Sequence, residues 1–228
     1  MDVALVSVGD ELLSGDTVNT NAAWLGERLD ERGVDVERVT VVPDRVADIA
    51  RVVNEYAAEY DAVIVTGGVG PTHDDKTMDG VAAAVGRSLE TDETVLKWLT
   101  EEGGYTRDDL TDGTADIPSS ARPLHNRVGV APGCVVENVY VFPGVPKEMR
   151  AMFESVESSF NGEKRYAGSL VIDEPESALI DRFQRLQKEF NVKVGSYPGE
   201  NVRVKIESTD ETELKAALSW LRERSDVA

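Results

Sequence analysis

Residues 61–77 read DAVIVTGGVGPTHDDKT. The first part, DAVIVT (61–66), is apolar enough to form a strand buried on both faces. Directly after it come three glycines, a proline, a histidine and two adjacent aspartates. A turn needs one or two glycines, so this cluster is built to hold something. Glycines let backbone N–H groups approach an anion closely. The helix expected over about 76–86 adds its positive N-terminal end. The loop is not a Walker A loop, which needs GK followed by Ser or Thr. It is not a dinucleotide fingerprint either, because the spacing is GGxG and Pro71 interrupts it. Asp74 and Asp75 share the loop, and bare carboxylates repel a phosphate. Either a divalent cation bridges carboxylate and phosphate, or the aspartates hydrogen-bond a donor-rich group such as a pterin or ribose. The plainest alternative is that one of them caps the helix. His73 is a candidate acid or base near neutral pH, or a residue that stacks on the ligand.

Upstream, VALVSV (3–8) reads as another buried strand and GDELLSGD as the loop after it. TNAAWLGERLDERG (20–33) carries apolar residues at 22, 25 and 29, a helical spacing that ends at Gly33. VDVERVTVV (34–42) is a second strand. Residues 44–60 form an amphipathic helix with Asp44 as its expected N-cap. Downstream, 92–127 reads as a helix and then a polar connector. Residues 128–149 read as a hairpin, a turn and a helix that starts near Pro146. Strands alternating with helices imply a mostly parallel sheet with right-handed crossovers, and ligands bind at the carboxyl ends of such strands. A boundary falls at 161–166. Beyond it AGSLVI, a helix at 175–190, VKVGSY, VRVKIES and a helix at 210–224 give a β-α-β-β-α pattern. Two domains are expected, 1–163 and 164–228.

The 228 residues suffice to bury a core without disulfides or metal staples. One cysteine, Cys134, excludes an internal disulfide and fits a reducing, cytoplasmic setting. No apolar run approaches the ~20 residues a membrane span needs, and no leader is read at the N-terminus. Net charge is -19, with 43 acidic and 24 basic residues, which argues against nucleic acid as a partner. The acid is spread over the whole chain, as in proteins kept soluble at very high salt. His125 in SSARPLHNRVG reads as an exposed loop residue. Arg122 and Arg127 flank it, and either can be weighed as reaching a ligand phosphate. Cys134 reads as a core thiol, and Trp24, Trp98 and Trp220 as packing residues on helices.

At this point the motifs carry a resemblance. TGGVGPTHDDKT resembles the signature loop of the molybdopterin-binding domains of the MoaB/MogA/MoeA and gephyrin group. It is more similar still to the N-terminal domain of the CinA family. SVGDELLSGDTVNTNAAWLGERL (7–29), VGVAPGCVVE (128–137) and FPGVPKEM (142–149) resemble that family's other motifs, in the same order. Residues 166–228, with GSYP at 195–198, resemble the small middle domain of CinA proteins. The resemblance implies an α/β, three-layer MoaB/Mog-like domain plus a small α+β domain. The amidohydrolase that many CinA proteins carry at the C-terminus, acting on nicotinamide mononucleotide, has no counterpart among these motifs. Its activity is therefore not expected here.

Carried over by position, the resemblance implies that Gly67, Gly68 and Gly70 contact a phosphate or pterin. Asp75 takes the place of the loop aspartate implicated in adenylylation or metal handling, and Asp44 that of the aspartate ending the second strand. Asp10 and Glu11 occupy the GDE motif, and Asn19 and Asn21 the NTN motif. Ser7 and Thr66 are expected hydroxyl contacts, and Gly144 and Pro146 the far wall. CinA-type domains are associated with metal-dependent hydrolysis of ADP-ribose and similar dinucleotides. Asp75, Asp74, His73 and Asp44 are then the catalytic candidates, with Asp74 and Asp75 holding magnesium, manganese or cobalt. Three functions compete: hydrolysis of a nucleoside diphosphate compound, molybdopterin binding in molybdenum cofactor biosynthesis, and a nonenzymatic interaction module. A small-molecule nucleotide or pterin is the expected partner, in a homo-oligomer like those of the family.

Overall fold

The VALVSV run forms β1 (Asp2–Val8), and its alternation decides the layers. Val3 and Leu5 pack into one apolar cluster, and Val6 and Val8 into another on the opposite face. β-Strand side chains alternate between faces, so both faces of the sheet are covered. A short helix α1 (Asp10–Ser14) comes after it, then α2 (Thr20–Glu31), β2 (Asp35–Val42), α3 (Val46–Glu59) and β3 (Ala62–Thr66). α4 (Thr77–Ala84), β4 (Leu89–Thr91), α5 (Glu93–Glu101), β5 (Asp116–Pro118) and β6 (Arg122–Leu124) come next. β7 (Gly133–Val136), β8 (Val139–Phe142) and α6 (Pro146–Glu154) complete the first unit. The chain divides into two compact units, Met1–Gly162 and Glu163–Ala228. This computed structural model describes every residue except Pro71 and His73, and Asp109 by its backbone alone.

The central sheet runs β2-β1-β3-β8-β7-β6. β1 pairs in parallel with β2 and β3, and β3 in parallel with β8; β7 and β6 extend the edge antiparallel. On one face Leu25 and Leu29 of α2 and Met149 and Phe153 of α6 pack against Leu5 and Ile64. On the other, Ile49 and Val53 of α3 and Val81 of α4 pack against Val6, Val63 and Val65. Phe153 is fully buried and meets Trp24 edge-on at 5.6 Å between centroids. Each such buried side chain contributes about 2–3 kcal/mol. Cys134 lies in this core. Burial pushes its thiol up to about 12, which leaves it no role as a nucleophile.

Three readings of the sequence change. GDELLSGD is not all loop, because Asp10–Ser14 winds one helical turn closed by Gly15 in the left-handed region, φ 82°. The polar connector before residue 127 contains β6, which pairs with β7, and β5, which pairs with β4. Asp44 does not cap α3. The N-cap position is Arg45, and the Asp44 carboxylate accepts instead from the Asp10 backbone N–H at 3.0 Å.

The second unit holds β9 (Tyr166–Ile172), α7 (Glu176–Glu189), β10 (Lys193–Tyr197), β11 (Val202–Ser208) and α8 (Glu211–Arg222). Its sheet runs β10-β11-β9 and is antiparallel throughout. Leu170, Leu179, Val204, Ile206 and Leu221 form its own core. No described helix in either unit is long and apolar enough to cross a membrane.

Candidate functional site

Parallel strands that end side by side bring the loops at their carboxyl ends together, and the site forms from the loops after β1, β2, β3 and β8. The first glycine of two of these loops ties its strand to a neighbour. Gly9 N donates to Val42 O (3.1 Å), and Gly67 N donates to Phe142 O (3.2 Å). Gly67 has φ 96°, and a Cβ there would lie 2.3 Å from Val8 O. Gly68 has φ 59°, and its missing Cβ makes room for Thr77 Oγ1 and Asp44 Oδ1, at 2.6 and 2.9 Å. The two glycines thus let β3 turn tightly under β1 and bring Asp44 onto the turn.

Thr77 closes the turn from the other side. Its hydroxyl donates to Gly67 O at 2.7 Å and its backbone N–H to Gly68 O at 2.9 Å. The amides of Gly67 and Thr77 are therefore occupied within the protein. This corrects the expectation that Gly67 and the first N–H of α4 are offered to an anion. Neither loop aspartate caps α4: its N-cap is Lys76, without a side-chain cap. Asp75 Oδ2 accepts instead from Thr72 N at 3.0 Å and from the Thr72 hydroxyl, which also lies 2.5 Å from Asp74 Oδ1.

The resulting cavity measures about 240 Å³. Asp44, Asp74, Asp75 and Glu11 stand on its wall, with Gly67, Gly68 and Thr66. Asn19, Asn21, Gly144 and Pro146 form the remainder that the sequence pointed to. Asn19 is fixed at both ends of its amide, accepting from Ala22 N (3.1 Å) and donating to Ser7 Oγ (2.9 Å). Asn21 Nδ2 donates to Gly144 O at 2.7 Å, while its Oδ1 is buried with no partner among the described residues. An unsatisfied buried acceptor costs about 1–3 kcal/mol.

Three expected contacts stand off this wall. Ser7 is buried behind it and holds Asn19, with Thr66 Oγ1 at 3.5 Å. Asp10 reaches the site only through its backbone bond to Asp44. Gly70 lines two adjoining hollows that it shares with Asp75. His73 lies outside the described residues. Residues the sequence did not single out also line the cavity, among them Leu12, Thr17, Val18 and Thr20. Thr17 N donates to Glu11 O at 3.1 Å, which turns the chain back after α1.

Electrostatics set what this cavity accepts. Its wall carries four carboxylates and, among the described residues, no lysine or arginine. Burial, opposed by the Asp10 N–H bond and reinforced by Asp10, Glu11 and Asp75, raises the Asp44 carboxyl above the usual aspartate value. Hard carboxylate oxygens suit magnesium or manganese. No three described His, Cys, Asp or Glu side chains converge as a ready-made metal cage. Such an ion fits only as one held by one or two carboxylates together with ligand phosphate, the usual mode for magnesium. The aspartates and Asn21 Oδ1 are hydrogen-bond acceptors, the kind of group that pairs with ring N–H donors.

The raised Asp44 carboxyl yields a stability prediction. A raised folded value means that the charged form costs stability once pH climbs above 3.8, the ordinary aspartate value. Asp44→Asn keeps an acceptor for Asp10 N–H and sheds that charge. Without divalent ions, the variant should match the parent at acid pH and melt about 2 °C higher near neutrality. Thermal unfolding at the two pH values checks this; an unchanged gap between them would remove the charge explanation.

Comparison with known proteins then places the chain. Residues 4–160 match the family model "Probable molybdopterin binding domain", and residues 164–227 match "FAD synthase, middle domain". A protein of Archaeoglobus fulgidus is 35% identical over 225 residues, covering 98% of this chain and 97% of its own. A CinA-like protein of Frankia casuarinae is 44% identical over 165 residues, 67% of this chain but 38% of its own length. Among solved structures, the CinA protein of Thermoplasma acidophilum is 39% identical, with a TM-score of 0.65. It covers 71% of this chain and 99% of that one. With the four strand-end loops assembled as described, the chain belongs to the family of molybdopterin-binding-type domains, in its CinA-like branch.

Proposed function

We propose that the first unit binds a phosphate-bearing nucleotide and hydrolyses a nucleoside diphosphate compound such as ADP-ribose with a divalent metal. One observation supports this above the others: a cavity at the strand ends bears four carboxylates and no base among the described residues. A phosphate enters such a cavity only in company with a cation. In this reading Asp75, with Asp74, holds the ion against the ligand. The ion supplies Lewis acidity at the phosphoryl group and acidifies water. Asn21 Oδ1 accepts from the ligand and orients it, while Gly68 and Gly144 keep the floor narrow. Asp44 contacts the ligand side without holding metal, and Glu11 adds a further carboxylate to the wall.

The test is release of AMP from ADP-ribose by the purified protein in high potassium chloride, with magnesium, manganese or cobalt added in turn. Release that needs a metal supports hydrolysis, and no release under any metal defeats it. A second reading, favoured by the family's own description, is binding of molybdopterin without hydrolysis. Buried Asn21 Oδ1 suits a pterin as well as a ribose. Tight pterin binding without AMP release would establish that reading instead.

A further inference from the structure

A second hollow, of about 640 Å³, shares no wall residue with the first. It lies in the first unit, between the end of α5 and the loop after β6. Trp98 and His125 stack face to face on its wall, with centroids 5.1 Å apart and planes 17° from parallel. His125 is exposed, as its sequence context suggests, but it stands on an aromatic partner. Arg122 and Arg127 line the same hollow, and among the described residues neither makes an ion pair. Glu102 is the one carboxylate among its described lining residues.

In a chain with 43 acidic and 24 basic residues, Arg122 and Arg127 outnumber the one carboxylate, Glu102, among this hollow's described lining residues. The floor under them is rigid. Asn126, 2% exposed, accepts from Val128 N and Gly129 N at 3.0 and 2.9 Å. It also donates to Ala131 O and Glu148 Oε2, at 2.9 and 2.6 Å. These bonds hold the 126–131 loop and with it Arg127. A preformed hollow with a planar stacking platform and a pair of guanidinium groups matches one ligand class. We infer that it binds a free mononucleotide, the base stacked on the Trp98–His125 pair and the phosphate held by Arg122 and Arg127. A longer nucleic acid is disfavoured by the net charge of -19, which a single small anion meets far less.

The test is a tryptophan-fluorescence titration of the full chain with AMP in moderate salt, with adenosine and inorganic phosphate alongside. AMP should quench the emission, and Trp98→Phe should remove that quench. The double variant Arg122→Gln/Arg127→Gln should weaken AMP by about tenfold or more while leaving adenosine unchanged. Both arginines are exposed, so an unchanged Tm certifies the fold of that variant. Asp75→Asn should leave the quench in place. The inference is overturned by absence of AMP-dependent quenching, or by AMP affinity that ignores both arginines. Loss of AMP binding in Asp75→Asn would assign the nucleotide to the first cavity instead. Inorganic phosphate binding as tightly as AMP would make the hollow a bare anion site.

Discussion

Asp75→Asn should lower cation-dependent turnover of ADP-ribose by at least ~10²-fold, the scale on which single electrostatic groups act in catalysis. The physical case rests on what the substitution keeps. Asn can still accept from Thr72 N, a bond of 3.0 Å in the parent. Its size beside Gly70 is unchanged, where an added Cβ would lie 2.8 Å from Asp75 Oδ2. Shape and loop closure therefore survive, and only the negative charge goes. A site whose wall holds four carboxylates and no described base depends on that charge to hold an ion. AMP release measured against metal concentration should show both a lower kcat and a higher metal concentration for half-maximal rate. Undiminished turnover in the variant would take Asp75 out of the mechanism. Asp44→Asn should lose less, because Asp44 sits over Gly68 and is engaged by the Asp10 backbone N–H, a bond the amide oxygen of Asn can keep. An equal loss would contradict the division of roles.

Gly67→Ala should be the most damaging single change to the turn itself. Its φ of 96° lies where L side chains are strained, and the added Cβ would stand 2.3 Å from Val8 O, a backbone atom of β1 that cannot swing aside. Relief requires β1 and β3 to part at the end of their parallel ladder, where Ser7 pairs with Thr66. The expected cost is about 3 kcal/mol, or a Tm lower by roughly 10 °C. Gly15→Ala is the matched control. Gly15 also has positive φ, 82°, but nothing lies within 4 Å of its would-be Cβ. It should cost about 1 kcal/mol, the backbone term alone. Thermal melts of the two variants separate conformational strain from collision, and equal losses would dismiss the collision with Val8.

Much of this architecture is legible in local pattern. β1 and β3 announce themselves because unbroken apolar runs have no other stable home than a sheet covered on both sides. The loops after them are legible as ligand loops because their glycines exceed what a turn requires. β4, β5 and β6 are not, since each is three residues long and is fixed by its partner strand, not by its own composition. α1 escapes for a related reason: a single turn has almost no periodicity to read. In the site, residue type identified Asp75, Asn19 and Asn21 as polar groups in motifs. Only the fold distinguishes their work. Asn19 is locked on Ser7 and Ala22, whereas Asn21 keeps one oxygen without a partner among the described residues. Likewise the glycine loop suggested donated amides, and tertiary structure shows the amides of Gly67 and Thr77 engaged elsewhere.

The absence of any described base from the first cavity's wall bears on where such a protein works well. At molar salt the Debye length shrinks to about 3 Å. An approaching anion then feels nothing of the distant acidic surface and meets repulsion only on reaching the carboxylates themselves. Under the proposed function, molar salt would silence the outer surface and leave the inner wall to act alone, admitting a phosphate in proportion to the divalent ion that escorts it.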